Sequence, residues 1–252
     1  MTYRTVDVRH QPGLVQVTLD RPHRRNGIDH EVIADLNAAL DAAEGDPTCR
    51  AVVLRGRDGV FSDGMDFATA AADSGSADGG QAFFDLLTRF TTTDRVVVSQ
   101  VDGRVAGGGV GLAAASDVVH ATPRSTFALP EALWGLLPCC VLPFLVRRVG
   151  FQKAYTATLS TQVVDAREAH RIHLVDELSE TPETVLRQLV FRLVRLDGEI
   201  IGDAKRYFHR LAPIDERAGS VAVAEFGRLM SSPVVRRRIA DFVDHGRYPW
   251  ER

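Results

Sequence analysis

Apolar and polar positions alternate along residues 6–8 and again along 14–19, on either side of Gln11-Pro12-Gly13. A period of two with a turn between predicts a hairpin that lays one face on a core. From 30 to 44 the period lengthens: Val32, Ile33, Leu36, Ala39, Leu40 and Ala43 share one side of an amphipathic helix. Ala51-Val-Val-Leu54 then reads as a buried strand, and residues 95–101 and 117–121 read the same way, as strands covered on both faces do. Residues 68–80 are rich in Gly, Ser, Ala and Asp and can bury little, which predicts a mobile loop near a site, followed by a helix over 81–90. Glycines 107–109 open a helix of small residues. Beyond Pro138 the spacing is helical over 141–149, 151–159, 166–172, 183–196, 202–211 and 218–230. Strands alternate with helices as far as about residue 180, so the expected class is α/β. The expected organisation is a sheet-bearing core over 1–180 that holds the site, and a helical region over 181–252 that covers it or contacts another subunit.

The 252 residues are 45% hydrophobic, enough for a large core. Thirty basic against 33 acidic side chains give a net charge of -3, a balance that suggests neither nucleic acid nor an anionic membrane as partner. Three cysteines, Cys49 and the adjacent Cys139 and Cys140, have no metal-ligand spacing and fit a reducing compartment; with no apolar leader and no membrane-length run, the cytoplasm is expected.

Two stretches carry the chemistry. Val105-Ala-Gly-Gly-Gly-Val-Gly111 places glycines where a strand enters a helix, so free backbone N–H groups and a helix N-terminus can face developing negative charge. One such donor can supply roughly 3 to 4 kcal/mol of transition-state stabilisation. A nucleotide site is not supported: there is neither a Gly-x-Gly-x-x-Gly with its later acidic residue nor a Walker lysine. A second donor is expected at Met65, beyond the Gly64 turn of Phe61-Ser-Asp-Gly-Met-Asp-Phe67. The other stretch, Phe127-Ala-Leu-Pro-Glu-Ala-Leu-Trp134, sets Glu131 among apolar neighbours that would raise its pKa into the range of acid/base catalysis.

Taken in order, Phe-Ser-x-Gly-x-Asp, the glycine run and Phe-x-x-Pro-Glu-x-x-x-Gly-x-x-Pro resemble the enoyl-CoA hydratase/isomerase (crotonase) superfamily, from Leu19-Asp-Arg-Pro22 and Asn26 onward. The resemblance implies a spiral of β-β-α turns with a C-terminal helical region, a homotrimer or hexamer, and an enolate held by two peptide N–H groups, here those of Met65 and Gly108. It implies Glu131 as the catalytic acid/base. The other glutamate of two-carboxylate hydratases falls on Gly111, so ordinary hydration is not implied. The run Pro138-Cys-Cys-Val-Leu-Pro-Phe-Leu-Val-Arg-Arg148, Thr158-Leu-Ser-Thr-Gln162 and Gly246-Arg-Tyr-Pro-Trp-Glu251 is similar to dehydratases of polyketide β-branching cassettes. These convert 3-hydroxy-3-methylglutaryl on an acyl carrier protein to 3-methylglutaconyl. Apart from the phosphopantetheine or CoA that carries the substrate, no cofactor and no metal is implied. Decarboxylation of the methylglutaconyl thioester, hydration or isomerisation of an acyl-CoA, and non-catalytic docking of carrier proteins are the alternatives.

Other polar groups are weaker candidates. Asp63 and Asp66 flank Met65 and could meet a distal carboxylate of the substrate, although turn capping is the commoner use of such aspartates. Gly111 and Cys139 are expected along the substrate wall, Cys139 as a small hydrophobe. Arg147, Arg148 and Lys153 could meet a carrier protein or its phosphate, His170 and His173 have a spacing open to metal but no third ligand, and Lys205, Tyr207 and His209 could reach a neighbouring subunit.

Overall fold

The computed structural model describes residues 2–72, 77–214 and 216–251. The predicted hairpin is β1 (Val6–Gln11) with β2 (Leu14–Leu19), paired antiparallel around Gly13 at φ +80°. Helix α1 (His30–Gly45) begins where the Asp29 carboxylate accepts a hydrogen bond from the Val32 N–H at 3.0 Å, an N-cap that satisfies one of the first turn's free donors. It buries the stripe its spacing predicted.

From there the chain repeats one unit. Strand β3 (Ala51–Gly56) is followed by the short β4 (Val60–Ser62), then by helices α2 (Phe67–Ala72) and α3 (Ala77–Thr92). Strand β5 (Val96–Val101) is followed by β6 (Arg104–Ala106) and helix α4 (Gly108–Ala115). Strand β7 (Val118–Ala121) is followed by β8 (Thr126–Ala128) and helix α5 (Glu131–Trp134). Helices α6 (Leu142–Val149) and α7 (Phe151–Ser160), strand β9 (Val164–Asp165), helix α8 (Ala166–Arg171) and strand β10 (Glu177–Leu178) complete the sheets. The first strand of each unit joins a six-stranded sheet ordered β1-β2-β3-β5-β7-β10, and the second joins a four-stranded sheet ordered β4-β6-β8-β9. Winding between two sheets in this way is the β-β-α spiral, and it brings the ends of β4, β6 and β8 side by side.

After β10 the described chain is helical: α9 (Pro182–Leu193), α10 (Gly198–Leu211), α11 (Glu216–Met230) and α12 (Pro233–His245). Helix α12 is an addition to the expected set. The region 68–80 departs from the loop expected there. Asp66 caps α2 by accepting from the Ala68 and Thr69 N–H groups at 3.0 and 3.2 Å, and α3 already runs through Gly79 and Gly80. Gly80 is needed for packing, since a Cβ there would come within 2.6 Å of the Phe226 ring of α11. Residues 73–76, inside the expected loop, lie outside the described residues.

Candidate active site

Two glycine turns meet at the ends of β4 and β6. Gly64 has φ +89° and Gly107, at the N-cap of α4, has φ +51°. A Cβ on Gly64 would stand 3.0 Å from the Gly108 nitrogen and 3.2 Å from the Gly107 Cα, so only a residue without a side chain allows the turns to touch. Asn26 secures this contact from below. Its side-chain amide donates to Val60 O at 2.7 Å, and its own carbonyl accepts from Ser62 Oγ at 2.8 Å.

The hydrogen bonds around the turns leave the Met65 and Gly108 N–H groups over. Ile28 N–H donates to Gly64 O and Asp66 N–H donates to Ile28 O, which brackets Met65 without using its N–H. Gly107 N–H donates to Ala128 O, and the Val110 and Gly111 N–H groups both donate to Gly107 O. Gly108 N–H, at the start of α4, has no acceptor among the described residues. Met65 and Gly108 therefore present neighbouring free amides to one cleft of about 1200 Å³, the second at a helix N-terminus.

Glu131 opens α5 on the opposite side of Gly107. A Cβ on Gly107 would lie 3.2 Å from its Oε1, while its Oε2 is enclosed and has no hydrogen-bond partner among the described residues. Burial of the carboxyl pushes its pKa up to about 7, so both protonation states are accessible near neutral pH. The four-residue helix is held by Trp134, which is buried and packs edge-on against Phe67 at 4.6 Å and Phe242 at 5.2 Å, with Trp250 at 5.8 Å. Phe242, Tyr248 and Trp250 thus bring the C-terminal segment to the cleft wall. Sequence reasoning noted the Gly246–Glu251 motif but did not place it here; nothing local in aromatic residues so far along the chain signals a contact with Trp134.

Gly111 is not on the substrate wall as expected. It lies one turn into α4, where a Cβ would stand 2.9 Å from Val141 Cγ2 and 3.3 Å from both Leu87 Cδ1 and Phe83 Cζ. Apolar side chains fill the space that a carboxylate would need.

Asp63 and Asp66 do line the cleft, but their carboxylates are engaged. Asp63 pairs with Arg25 at 2.9 Å and with Arg104, and Asp66 pairs with Arg24 at 2.8 Å while capping α2. Pairing engages both carboxylates, and capping adds to it at Asp66, the commoner use expected of such aspartates. The arginines themselves, with His23, line the cleft and were missed from the sequence, because Arg24 and Arg25 sit in a turn without periodicity. Cys139 is in the wall, and burial pushes its thiol up to about 11 and that of Cys140 up to about 12, so both are apolar wall groups at neutral pH.

The remaining candidates lie elsewhere. Arg148 is bound to Asp176 and to the Ser116 and Leu174 carbonyls, and Lys153 pairs with Glu168 at 3.7 Å. Lys205 donates to Phe90 O, Arg95 O and Asp117, fastening α10 to the core. His170 Nδ1 is bonded to Val175 O at 3.0 Å. Among the described residues, no three or more His, Cys, Asp or Glu are grouped to hold a metal ion, and no helix is long and apolar enough to cross a membrane.

The sequence profile described as "Enoyl-CoA hydratase/isomerase" matches residues 9–224. The chain belongs to the enoyl-CoA hydratase/isomerase family. Within it, the chain is similar to "Bacillaene synthase dehydratase PksH" of Bacillus subtilis, at 33% identity over 255 residues, covering 100% of this chain and 98% of that one. The crystal structure of PksH superposes with a TM-score of 0.92 at 32% identity, over 98% of this chain and 100% of that chain. An enoyl-CoA hydratase/isomerase from Xanthobacter autotrophicus Py2 gives a TM-score of 0.88 at 26% identity, over 97% and 95%. The fold is the crotonase spiral of these enzymes, and the chain is a hydro-lyase of the hydratase and dehydratase kind.

Proposed function

We propose that the protein dehydrates a 3-hydroxy-3-methylglutaryl thioester, carried on the phosphopantetheine of an acyl carrier protein, to the 3-methylglutaconyl thioester in polyketide β-branching. The observation that carries this reading is the single buried carboxyl of Glu131, poised near neutrality beside the free amides of Met65 and Gly108, with hydrocarbon where a second carboxylate would stand.

The chemistry follows from that arrangement. The thioester oxygen accepts hydrogen bonds from the Met65 and Gly108 N–H groups, which are aimed where charge develops and need no reorganisation. Glu131, as carboxylate, takes the proton from the α-carbon, and the electron pair moves onto the thioester oxygen as an enolate. As the enolate collapses, the α,β double bond forms and the β C–O bond breaks. The proton now on Glu131 passes to the departing hydroxyl, which leaves as water. One group therefore serves as base and then as acid on one face of the substrate. A tertiary β-carbon and a conjugated product lower the demand on the leaving group, so a single acid suffices.

The name of the PksH relative, a bacillaene synthase dehydratase, supports a polyketide substrate. Arg24, Arg25 and Arg104 line the cleft as three guanidinium groups paired with only two carboxylates, those of Asp63 and Asp66, and with His23 they suit an anionic arm or the substrate's distal carboxylate. A trimer or hexamer acting in the cytoplasm belongs to the same proposal, with the exposed Ile200, Tyr207, Phe208 and Leu211 of α10 supporting contact between copies. Incubation with hydroxymethylglutaryl loaded on carrier protein or on CoA, followed by intact mass, tests the reaction. Loss of one water is expected. Loss of carbon dioxide would assign decarboxylation instead, and loss of neither would overturn the assignment.

A further inference from the structure

The space beside Gly111 is filled in a way that bears on which acyl groups fit. Phe83, on α3, lines the cleft, and its ring tip reaches two positions on the first turns of α4. A Cβ on Gly108 would lie 3.3 Å from Phe83 Cζ and 3.2 Å from Ile28 Cδ1, and a Cβ on Gly111 would also lie 3.3 Å from Phe83 Cζ. The ring therefore spans from the oxyanion amide to the position where a second carboxylate is missing. Val141, which also lines the cleft, meets the Gly111 position at 2.9 Å from the other side, and Leu137 and Cys140 extend the apolar surface.

Proximity to the Gly108 amide has a chemical consequence. A thioester oxygen bonded there places its α- and β-carbons within a few bond lengths of the Phe83 ring. The polar groups of the cleft lie elsewhere: Glu131 stands across Gly107, and Asp63 and Asp66 are paired with arginines. A hydrocarbon surface at this point has no donor or acceptor for an ordered water, but it gains from contact with a methyl group.

We propose that Phe83 is a specificity-determining residue, whose ring with Val141 occupies the volume of the missing carboxylate and selects thioesters carrying a methyl branch on the β-carbon. This rests on the dehydratase reading for its choice of substrate class, but not for its test, which needs no turnover.

Two unreactive pantetheine analogues, in which an amide NH replaces the thioester sulfur so that the carbonyl oxygen is kept, are titrated calorimetrically into the wild type, Phe83→Ala and Phe83→Leu; their acyl groups, 3-hydroxy-3-methylglutaryl and 3-hydroxyglutaryl, differ by one methyl. One methyl in an apolar pocket changes affinity by roughly 10- to 200-fold. The wild type is expected to prefer the methylated analogue by at least about tenfold, Phe83→Leu to retain part of that preference, and Phe83→Ala to hold less than about threefold. No preference in the wild type, or an undiminished preference in Phe83→Ala, overturns the proposal. If Phe83→Ala lacks a cooperative unfolding transition, Phe83→Leu decides, and an unchanged preference there overturns it. Intact-mass turnover by the wild type separates the two readings. Methyl preference that depends on Phe83, without water loss, removes the dehydratase assignment and leaves the role of Phe83 standing; water loss without Phe83-dependent preference does the reverse.

Discussion

A single carbon added to Gly107 would come within 3.2 Å of Glu131 Oε1. The turn that presents the Gly108 amide and the carboxyl of α5 therefore touch across a gap with no room for a side chain. In the proposed reaction, base and oxyanion donor are thus neighbours across this one turn, and a thioester oxygen on the Gly108 amide sets its α-carbon beside Glu131.

Gly107→Ala should damage both functions at once. The residue has φ +51°, unfavourable for alanine, and the new methyl presses on the Glu131 carboxyl. Loss or misplacement of one oxyanion donor costs on the order of 10²- to 10³-fold in kcat, so a fall of at least about a hundredfold is expected with near-native circular dichroism. A variant within a few-fold of wild type would remove Gly107 and Gly108 from the reaction.

Glu131→Gln should abolish water loss and yet stabilise the fold at alkaline pH. The folded pKa of about 7 lies above the usual 4.5 of a glutamate, so the folded state binds the extra proton. Stability from this group is present in full below about pH 4.5 and declines as pH rises to about 7; above that, the buried charge costs about 3 kcal/mol. Glutamine removes this cost. Denaturant unfolding at pH 5 and pH 8 should show the variant gaining on the wild type mainly at pH 8; equal gains at both would contradict an elevated Glu131 pKa.

The same titration should shape activity. Proton abstraction needs the carboxylate, so kcat/KM is expected to rise with pH and level off above an apparent pKa near 7. A profile already flat from pH 5 upward would show that Glu131 is ionised throughout and is held by contacts absent from this structure.

Gly111→Glu should not create a two-carboxylate hydratase. Its side chain would enter space held by Val141, Leu87 and Phe83, two of them with contacts of 3.3 Å to a Cβ and one at 2.9 Å. Overpacking of this kind costs roughly 1–3 kcal/mol, and burying an unpaired carboxylate adds to that. A melting temperature lowered by several degrees, with no gain in hydration of a linear enoyl thioester, is expected. Efficient hydration by the single variant would show that the apolar filling is not what prevents it.

Much of the spiral was legible because its long elements carry a clear period: the α1 stripe and the β-branched runs of β3, β5 and β7 each announce themselves. Strands β4, β6 and β8 are three residues long, too short for any period, yet they set the turns of Gly64, Gly107 and Glu131 side by side. The glycine run and Glu131 stood out as chemistry-bearing types in unusual surroundings. What did not stand out was long-range. That Gly111 is backed by Phe83 and Val141, and that Asp63 is consumed by Arg25 and Arg104, depends on which elements the spiral brings together.

The packing of Trp134 on Phe242, Tyr248 and Trp250 sets an order in time as well as in space. During synthesis the β-spiral and α5 leave the ribosome long before α12 does. Until α12 and the aromatic residues after it dock, the cleft lacks that part of its wall, and of the rings described around Trp134 only Phe67 is in place. The four-residue helix that carries Glu131 therefore reaches its final packing only when almost the whole chain has been made.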